Sequence, residues 1–256
     1  MLVASVRRLS VLVVLAAAAV AFAATTQGSA APRAHTRAAK FPISQFTCYK
    51  GEFAGFKRQK FTIANQFDKL SAAYLVAPLR VCAPAIKNSE PIPDKRSHLV
   101  CFSIRVANGP TGTRKAVVTD QFGAHKMYVI VSQPESICLP ASKSRATSKP
   151  GAVPTTLDHY VCYHVKSASS FQTQTVSLRD QFGLGKDEVY RLETLCAPTS
   201  KNRGRILFKA VHMLCYDVKS PVKGAVVFVR EQFGLMKAAL ALRDYLCEPA
   251  LKRLVQ

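Results

Sequence analysis

Acidic residues are scarce in this 256-residue chain. Fifteen Asp and Glu residues stand against 36 Lys and Arg residues, and the formal net charge is +21. A charge of this sign attracts polyanions such as acidic glycans, wall polymers, anionic lipids and nucleic acids. It also keeps a protein soluble, so charge alone leaves polyanion binding and simple solubility as equal interpretations.

The motifs of common metal sites are also absent, with no Cys-x-x-Cys and no His-x-x-x-His pair. His98, His159 and His212 each precede a cysteine by three residues. Residues three apart on a strand point to opposite faces, so one ion could not easily bind both side chains. We therefore predict no metal and no cofactor, and expect these histidines to bond backbone carbonyls at strand ends.

Hydrolase signatures are missing too, since neither Gly-x-Ser-x-Gly nor His-Glu-x-x-His occurs. The acids that recur, Asp120, Asp180 and Glu231, occupy the same position in separate copies of a repeat. A glycosidase needs two carboxylates within ~5–10 Å across one substrate, and a residue present in every copy is more often part of the scaffold. We predict that the protein is not an enzyme; the alternative is a secreted hydrolase with a site between two lobes.

Long apolar runs are confined to the N-terminus. Arg7 and Arg8 precede the apolar residues 9–23, and small residues then allow cleavage after Ala23 or Ala30. This is the pattern of a secretory signal peptide, shorter than the ~20 residues of a membrane span, although an uncleaved anchor is the alternative. We predict a signal peptide over residues 1–30, a disordered basic segment over 31–40, a secreted protein that can associate with the envelope, and no transmembrane segment after cleavage.

What the chain does contain is one sequence repeat that occurs four times, with two cysteines in each copy. The second halves of the repeat read Asn-Gln-Phe-Asp, Asp-Gln-Phe-Gly, Asp-Gln-Phe-Gly and Glu-Gln-Phe-Gly, each followed by a cysteine and a proline. In an exported protein, paired and evenly spaced cysteines indicate disulfides. The simplest pairing closes each copy on itself: Cys48–Cys82, Cys101–Cys138, Cys162–Cys196 and Cys215–Cys247. Exchange between neighbouring copies, for example Cys82–Cys101, is the competing arrangement.

Each copy predicts three β-strands. Around the first cysteine, apolar residues alternate, as Val161, Tyr163 and Val165 do in copy three. A second strand leads into the Gln-Phe phrase, which we expect to be a structural turn whose Gln bonds turn backbone and whose Phe fills the core. These turn residues are Gln66, Phe67, Gln121, Phe122, Gln181, Phe182, Gln232 and Phe233. A third strand approaches the second cysteine, and the following proline should end it or hold it at an edge.

The spacers group the copies in pairs. A polar Pro/Ser/Thr segment, 144–157, separates copies two and three. We therefore predict an all-β protein of two small antiparallel lobes, sandwich-like or barrel-like, each built from two disulfide-containing repeats. Lobe 1 would span residues 41–143 and lobe 2 residues 158–256.

Cationic residues recur at fixed offsets from the cysteines. These residues could form repeated cationic sites that together bind an acidic polymer with avidity. Alternatively, they are simply the solvated charges of strand ends. The predicted polyanion-binding residues are Lys87, Lys143, Lys201, Lys252, Arg105, Lys166 and Lys219. We expect an anionic polymer of the cell envelope or a surface protein as partner, and no specific nucleic acid.

The complete unit resembles a family of tandem repeat domains of unknown function in exported bacterial proteins. The resemblance covers nearly all of residues 45–252. In copy three it is carried by His159, Cys162, Tyr163, Val165, Lys166, Asp180, Gln181, Phe182, Gly183, Leu195, Cys196, Pro198 and Lys201. Copy one departs, with Gln45 for the His and Asp68 for the Gly. The resemblance implies secretion and a repeat fold, and we expect a non-catalytic structural or binding role at the cell envelope.

Overall fold

The computed structural model describes residues 41–145 and 148–254 of the chain. The predicted signal peptide (1–30) and basic segment (31–40) lie outside these residues. The described residues fold into thirteen β-strands joined in antiparallel pairs, as the alternating patterns predict. Within the described residues, no helix has the length and apolar character needed to cross a membrane.

Each repeat contributes the three predicted strands. The first strands, which carry the first cysteine of each repeat, are β1 (Phe46–Ala54), β5 (His98–Ala107), β8 (His159–Ser167) and β11 (Val211–Lys219). The second strands are β2 (Lys60–Ala64), β6 (Thr113–Asp120), β9 (Gln174–Asp180) and β12 (Val226–Glu231). The third strands are β3 (Ser71–Pro84) with its short extension β4 (Ile86–Lys87), β7 (Gly123–Arg145), β10 (Gly183–Lys201) and β13 (Gly234–Leu254).

The first and third strands close into a ring of eight. Within a repeat the first strand pairs with the third, and the third strand then pairs with the first strand of the next repeat. The ring closes because β13 of repeat 4 pairs with β1 of repeat 1, from Phe46↔Cys247 to Ala54↔Lys237. Closure leaves no free edge among these eight strands.

The eight cysteines form a belt inside this ring. The four disulfides are Cys48–Cys82, Cys101–Cys138, Cys162–Cys196 and Cys215–Cys247, so each repeat is cross-linked to itself. The Sγ atoms of neighbouring disulfides approach to between 3.6 and 4.0 Å. This separation is smaller than the ~4.8 Å between adjacent strands, so the cysteine side chains converge on the inner side of the ring. A layer of Phe46, Leu99, Tyr160 and Met213 packs beside them.

The opposite face of the same strands is buried by the second strands. Each second strand forms a hairpin with its own third strand and also pairs with the far end of the third strand two repeats away. Tyr49, Phe102, Tyr163 and Tyr216, one residue after the first cysteines, belong to the resulting continuous core. Both faces of the ring strands are therefore buried.

Two separate lobes are not confirmed. Residues 39–256 form one compact unit, and strand pairs join the predicted lobes through β1–β13, β7–β8, β2–β10 and β12–β7. Ser144 and Arg145 of the predicted linker (144–157) lie in β7 and pair with β12. The physical reason is that a pair of repeats alone would leave its outer strands unpaired, whereas four repeats satisfy every ring strand.

The prolines show how the third strands leave the ring. Pro84 ends β3, while Pro140, Pro198 and Pro249 lie inside their strands. At each proline the strand retains a partner on one side only, so the missing N–H breaks no ladder bond. Residues 235–242, which could have been helical by propensity, are part of β13, as predicted.

Candidate functional site

The Gln-Phe turns are shaped by the acid that precedes them. Asp120 Oδ1 accepts the Phe122 N–H at 2.8 Å, and Asp180 Oδ1 accepts the Phe182 N–H at 2.7 Å. The following glycines have positive φ, 123° at Gly123 and 154° at Gly183. In repeat 1, where Asp68 replaces the glycine, the turn extends from Ala64 to Ser71 and Asp68 accepts a bond from the Ser71 hydroxyl.

The turn glutamines do not bond the turn backbone as expected. Three of the side chains instead reach the first-strand histidine of the preceding repeat, whereas Gln121, whose preceding repeat has Gln45 at that position, donates to Glu90 Oε2. Gln181 lies 3.0 Å from His98, Gln232 lies 3.2 Å from His159, and Gln66 of repeat 1 contacts His212 of repeat 4. The Asn, Asp or Glu side chain one residue earlier already accepts the backbone N–H of the turn, so the glutamine amide is free to join two repeats.

Backbone carbonyls hold two of the histidines at strand ends, as the sequence predicts. The Nδ1–H groups of His98 and His212 donate to the carbonyls of Arg96 and Ala210. Burial and a neighbouring lysine lower the pKa of His98, His159 and His212 to about 4. The neutral rings therefore present Nε2 as an acceptor to the glutamine amides, and the pairs act as ties between repeats.

Four of the seven lysines and arginines expected to bind polyanions are not free on the surface. Each ammonium lies over the phenylalanine of the next repeat's turn: Lys87 over Phe122, Lys143 over Phe182, Lys201 over Phe233 and Lys252 over Phe67, at 4.2–4.8 Å from the ring centroids. Lys87 is 3 % exposed, and its Nζ lies 3.1 Å from Glu248 Oε1. Burial lowers the pKa of Lys143 and Lys252 to about 8. Each of these lysines joins two repeats through a cation–π contact, with Lys87 and Lys201 buried and Lys143 and Lys252 half-buried.

The turn acids meet the ring strand of the repeat two positions away. The Tyr49 hydroxyl donates to Asp180 at 2.7 Å, and the Tyr216 hydroxyl donates to Asp120 at 2.6 Å. The corresponding ring residue for Glu231 is Phe102, which has no hydroxyl. Glu231 is 4 % exposed, and burial raises its pKa to about 7.

A buried charge cluster at the repeat 1–repeat 3–repeat 4 junction has no counterpart in the repeat pattern. Arg243 is fully buried; it donates to Asp187 at 2.7 Å, to Asp180 at 3.1 Å and to the Tyr49 hydroxyl at 3.1 Å. The equivalent positions of the other repeats hold Pro78, Pro134 and Leu192. This departure from the repeat pattern is the sequence signal by which the cluster could have been predicted.

Acids of repeats 2, 3 and 4 pair with two arginines on the cysteine side of the ring strands. Arg80 bonds Asp244 and Glu135, and its guanidinium lies 3.8 Å from the Tyr245 ring centroid. Arg191 bonds Asp217 and Glu193 on the opposite side. Each carboxylate is therefore held by an arginine. Across residues 41–145 and 148–254, no group of three or more His, Cys, Asp and Glu is arranged to hold a metal ion.

The two signs of charge are segregated between interior and surface. Most of the described Lys and Arg residues are exposed. Among the fifteen acids, all of them in the described part of the chain, Glu52 is exposed, the side chain of Glu188 is 43 % exposed, and most of the others are half-buried or buried. Arg105, Lys166 and Lys219, the remaining predicted polyanion-binding residues, lie on this exposed surface. Lys219 is paired with Glu188 at 3.0 Å.

Comparison with known proteins gives a family and no activity. A family model described as a repeat of unknown function (DUF7450) matches residues 98–248. The match begins at His98, the first residue of β5, and ends one residue after the last cysteine. No curated protein and no solved structure matches the chain.

Proposed function

Because the chain belongs to the family described as a repeat of unknown function (DUF7450), a description that names no activity, we propose a role from the chain's own surface. The protein is a non-catalytic, exported structural module that binds acidic polymers at the cell envelope. Four disulfides support an oxidising location outside the cytoplasm.

The observation that carries this proposal is the segregation of charge. The exposed charged side chains are predominantly cationic; among the acids of the described residues, Glu52 is exposed and the Glu188 side chain is 43 % exposed. Buried and half-buried acids form ion pairs with internal arginines and lysines such as Arg80, Lys87 and Arg243. Cations distributed over the surface favour a long anionic chain, because many weak contacts add up to avidity.

The rigidity of the scaffold supports a structural role. The ring has no open edge, each repeat is cross-linked, glutamine and lysine side chains join neighbouring repeats, and tyrosine hydroxyls join repeats two positions apart. The acids on the cysteine side of the ring strands are neutralised by arginines, an arrangement that suits a scaffold better than proton transfer. This favours binding over hydrolysis.

The test is co-sedimentation of the oxidised protein with insoluble calcium-free polygalacturonate beads and with neutral dextran beads over a salt series. We expect binding to polygalacturonate alone, falling steeply as salt rises from about 20 mM to about 500 mM because exposed charges are then screened. Absence of binding at low salt, or equal binding to dextran, would contradict the proposal. The net charge would then serve solubility.

A further inference from the structure

Two neighbouring repeats carry the same arrangement of exposed cations around an exposed tyrosine. In repeat 1, Lys60 of β2 pairs with Tyr74 of β3, and Tyr74 pairs with Arg105 of β5. Directly opposed residues point to the same face of a sheet, so the three side chains lie side by side. Tyr74 is 38 % exposed, and Lys60 Nζ lies 5.6 Å from its ring centroid.

Repeat 2 has the equivalent row. Lys115 of β6 pairs with Tyr128 of β7, and Tyr128 pairs with Lys166 of β8. Tyr128 is 42 % exposed, and both lysines are exposed. Each cation–tyrosine row, defined as Lys60–Tyr74–Arg105 or Lys115–Tyr128–Lys166, crosses two strand spacings, about 10 Å.

Repeats 3 and 4 lack the arrangement although their strands pair in the same way. The corresponding rows are Thr175–Glu188–Lys219 and Val226–Ala239–Glu52. The scaffold therefore does not require tyrosine or paired cations at these positions. The two rows make one side of a nearly fourfold molecule chemically different from the other side.

The repeat 1 row borders open grooves. Lys60, Tyr74 and Arg105 line a groove of about 480 Å³ together with Arg58 and Val76. Arg105 and Val76 also line an adjoining groove of about 570 Å³, where Ser103, Thr111 and Ser132 supply hydroxyl groups. An extended ligand can therefore pass Arg105 from one groove to the other.

The chemistry of a row fits a ring that carries an anionic substituent. An exposed tyrosine offers a flat apolar surface on which a sugar ring can stack, with a hydroxyl at its edge. Arg105 presents a planar fork of donors that matches a carboxylate or sulfate, and the lysines add point charges. Nucleic acid could stack in a similar way, but the disulfides indicate an oxidising compartment, unlike the cytosol and nucleus that hold most nucleic acid.

We propose that the two cation–tyrosine rows are subsites for an acidic polysaccharide, with Tyr74 and Tyr128 stacking on sugar rings and the flanking cations pairing with their acidic groups. This inference rests on the proposed binding of acidic polymers. It adds that the binding is local to repeats 1 and 2 and needs the aromatic rings as well as the charge.

The test is calorimetric titration of the oxidised protein with an oligogalacturonate at low salt. The variant Tyr74→Thr/Tyr128→Thr keeps every charge and suits a strand. We expect it to weaken oligogalacturonate binding about tenfold or more, the scale of losing aromatic stacking. Tyr74→Phe/Tyr128→Phe keeps the ring faces and should bind like the natural protein.

Two charge variants form the matched pair. Arg105→Gln/Lys166→Gln removes two cations from the rows, and Lys223→Gln/Lys237→Gln removes two exposed cations of repeat 4. The first should weaken binding clearly more than the second. Equal losses, or unchanged affinity in the Thr variant, would overturn the subsites while salt-sensitive binding of the natural protein to polygalacturonate still upheld the proposed function.

Two further outcomes also decide against the subsites. Tighter binding of a single-stranded oligodeoxynucleotide than of the oligogalacturonate would assign the rows to nucleic acid. Failure of the natural protein to bind any acidic polymer would remove the proposed function and the subsites together. Thermal unfolding of each variant, expected to match the natural protein, separates loss of a ligand contact from loss of the fold.

Discussion

Arg243 shows how much one residue can depend on its surroundings. Its guanidinium is fully buried and contacts Asp180, Asp187 and Tyr49, which lie in two other repeats. Desolvation opposes the charge and the two carboxylates favour it, and the outcome is a raised pKa for Arg243. A buried charge keeps the fold stable only while its partners are present.

Replacement of Arg243 by leucine, the residue at the equivalent position of repeat 3, should lower the free energy of unfolding by about 3–5 kcal/mol. The loss arises because Asp187 and Asp180 would stay buried without their cation. Urea unfolding with disulfides intact measures it.

The matched control is Arg191→Leu. Arg191 also contacts two acids, Asp217 and Glu193, but its side chain is 61 % exposed. Exposed ion pairs contribute about 0–1 kcal/mol, so this variant should be nearly as stable as the natural protein. Similar losses in both variants would show that the Arg243 cluster contributes no more than a surface pair.

Residue types at the turns were predictable, but their partners were not. The sequence indicated that Asp120 and Asp180 would form turns, because these residues bond nearby backbone N–H groups. The sequence did not indicate that four recurring lysines would contact the phenylalanine of the next repeat's turn. These lysines are Lys87, Lys143, Lys201 and Lys252. A lysine's burial depends on long-range packing, which a period-two pattern does not encode.

At the scale of elements, the ring strands place every cysteine beside two others. Within a disulfide the cysteines face each other across neighbouring strands, and the next disulfide follows at Sγ distances of 3.6–4.0 Å. Thiol–disulfide exchange needs a thiol in contact with a disulfide sulfur. The belt therefore offers a continuous path for exchange once one thiol is free.

The variant Cys162→Ala should scramble its disulfides. The freed Cys196 thiolate can attack Cys215, forming Cys196–Cys215, breaking Cys215–Cys247 and releasing the Cys247 thiolate beside Cys48. Peptide mapping after acid quenching and alkylation should find free thiol at Cys247 and beyond as well as at Cys196.

The control is Cys162→Ala/Cys196→Ala, which has no free thiol and should keep the other three native pairs. It should also be less stable by about 2–4 kcal/mol, the usual contribution of a disulfide. A free thiol found only at Cys196 in the single variant would show that the belt is too rigid for exchange.

For the molecule as a whole, ring closure decides cooperativity. The repeats that the sequence grouped into two lobes share strand pairs at both ends, β7 with β8 and β13 with β1. Turn residues of each repeat also contact repeats further along, as Tyr49 and Asp180 do. Opening one pair of repeats would break contacts of the other pair.

Calorimetry of the oxidised protein should therefore show one unfolding transition, with calorimetric and van't Hoff enthalpies that agree. Two lobes would give two transitions. As a companion experiment, residues 41–157 alone should not form a stable fold, because β1 and β7 would lose β13 and β8. A cooperatively folding fragment, or two resolved transitions, would restore the two-lobe description.

The repeat frame, the all-β class and the turns followed from the sequence, because alternation of apolar residues and turn-forming side chains are local properties. Family membership is consistent with that frame, since its model covers residues 98–248. The structure also contains the four disulfides of the within-copy scheme, which the repetition of spacing had favoured over exchange between copies.

Only the tertiary structure decided which repeats touch, which charges are buried and where the free surface lies. Closure of β13 onto β1 joins residues almost two hundred positions apart, and no local pattern specifies that contact. In the closed ring Lys87 and Lys201 are buried and Lys143 and Lys252 are half-buried, whereas Arg105 and Lys166 are exposed beside Tyr74 and Tyr128. Some basic residues therefore form contacts between repeats and others form an exposed cationic surface, because burial is a property of the assembled ring.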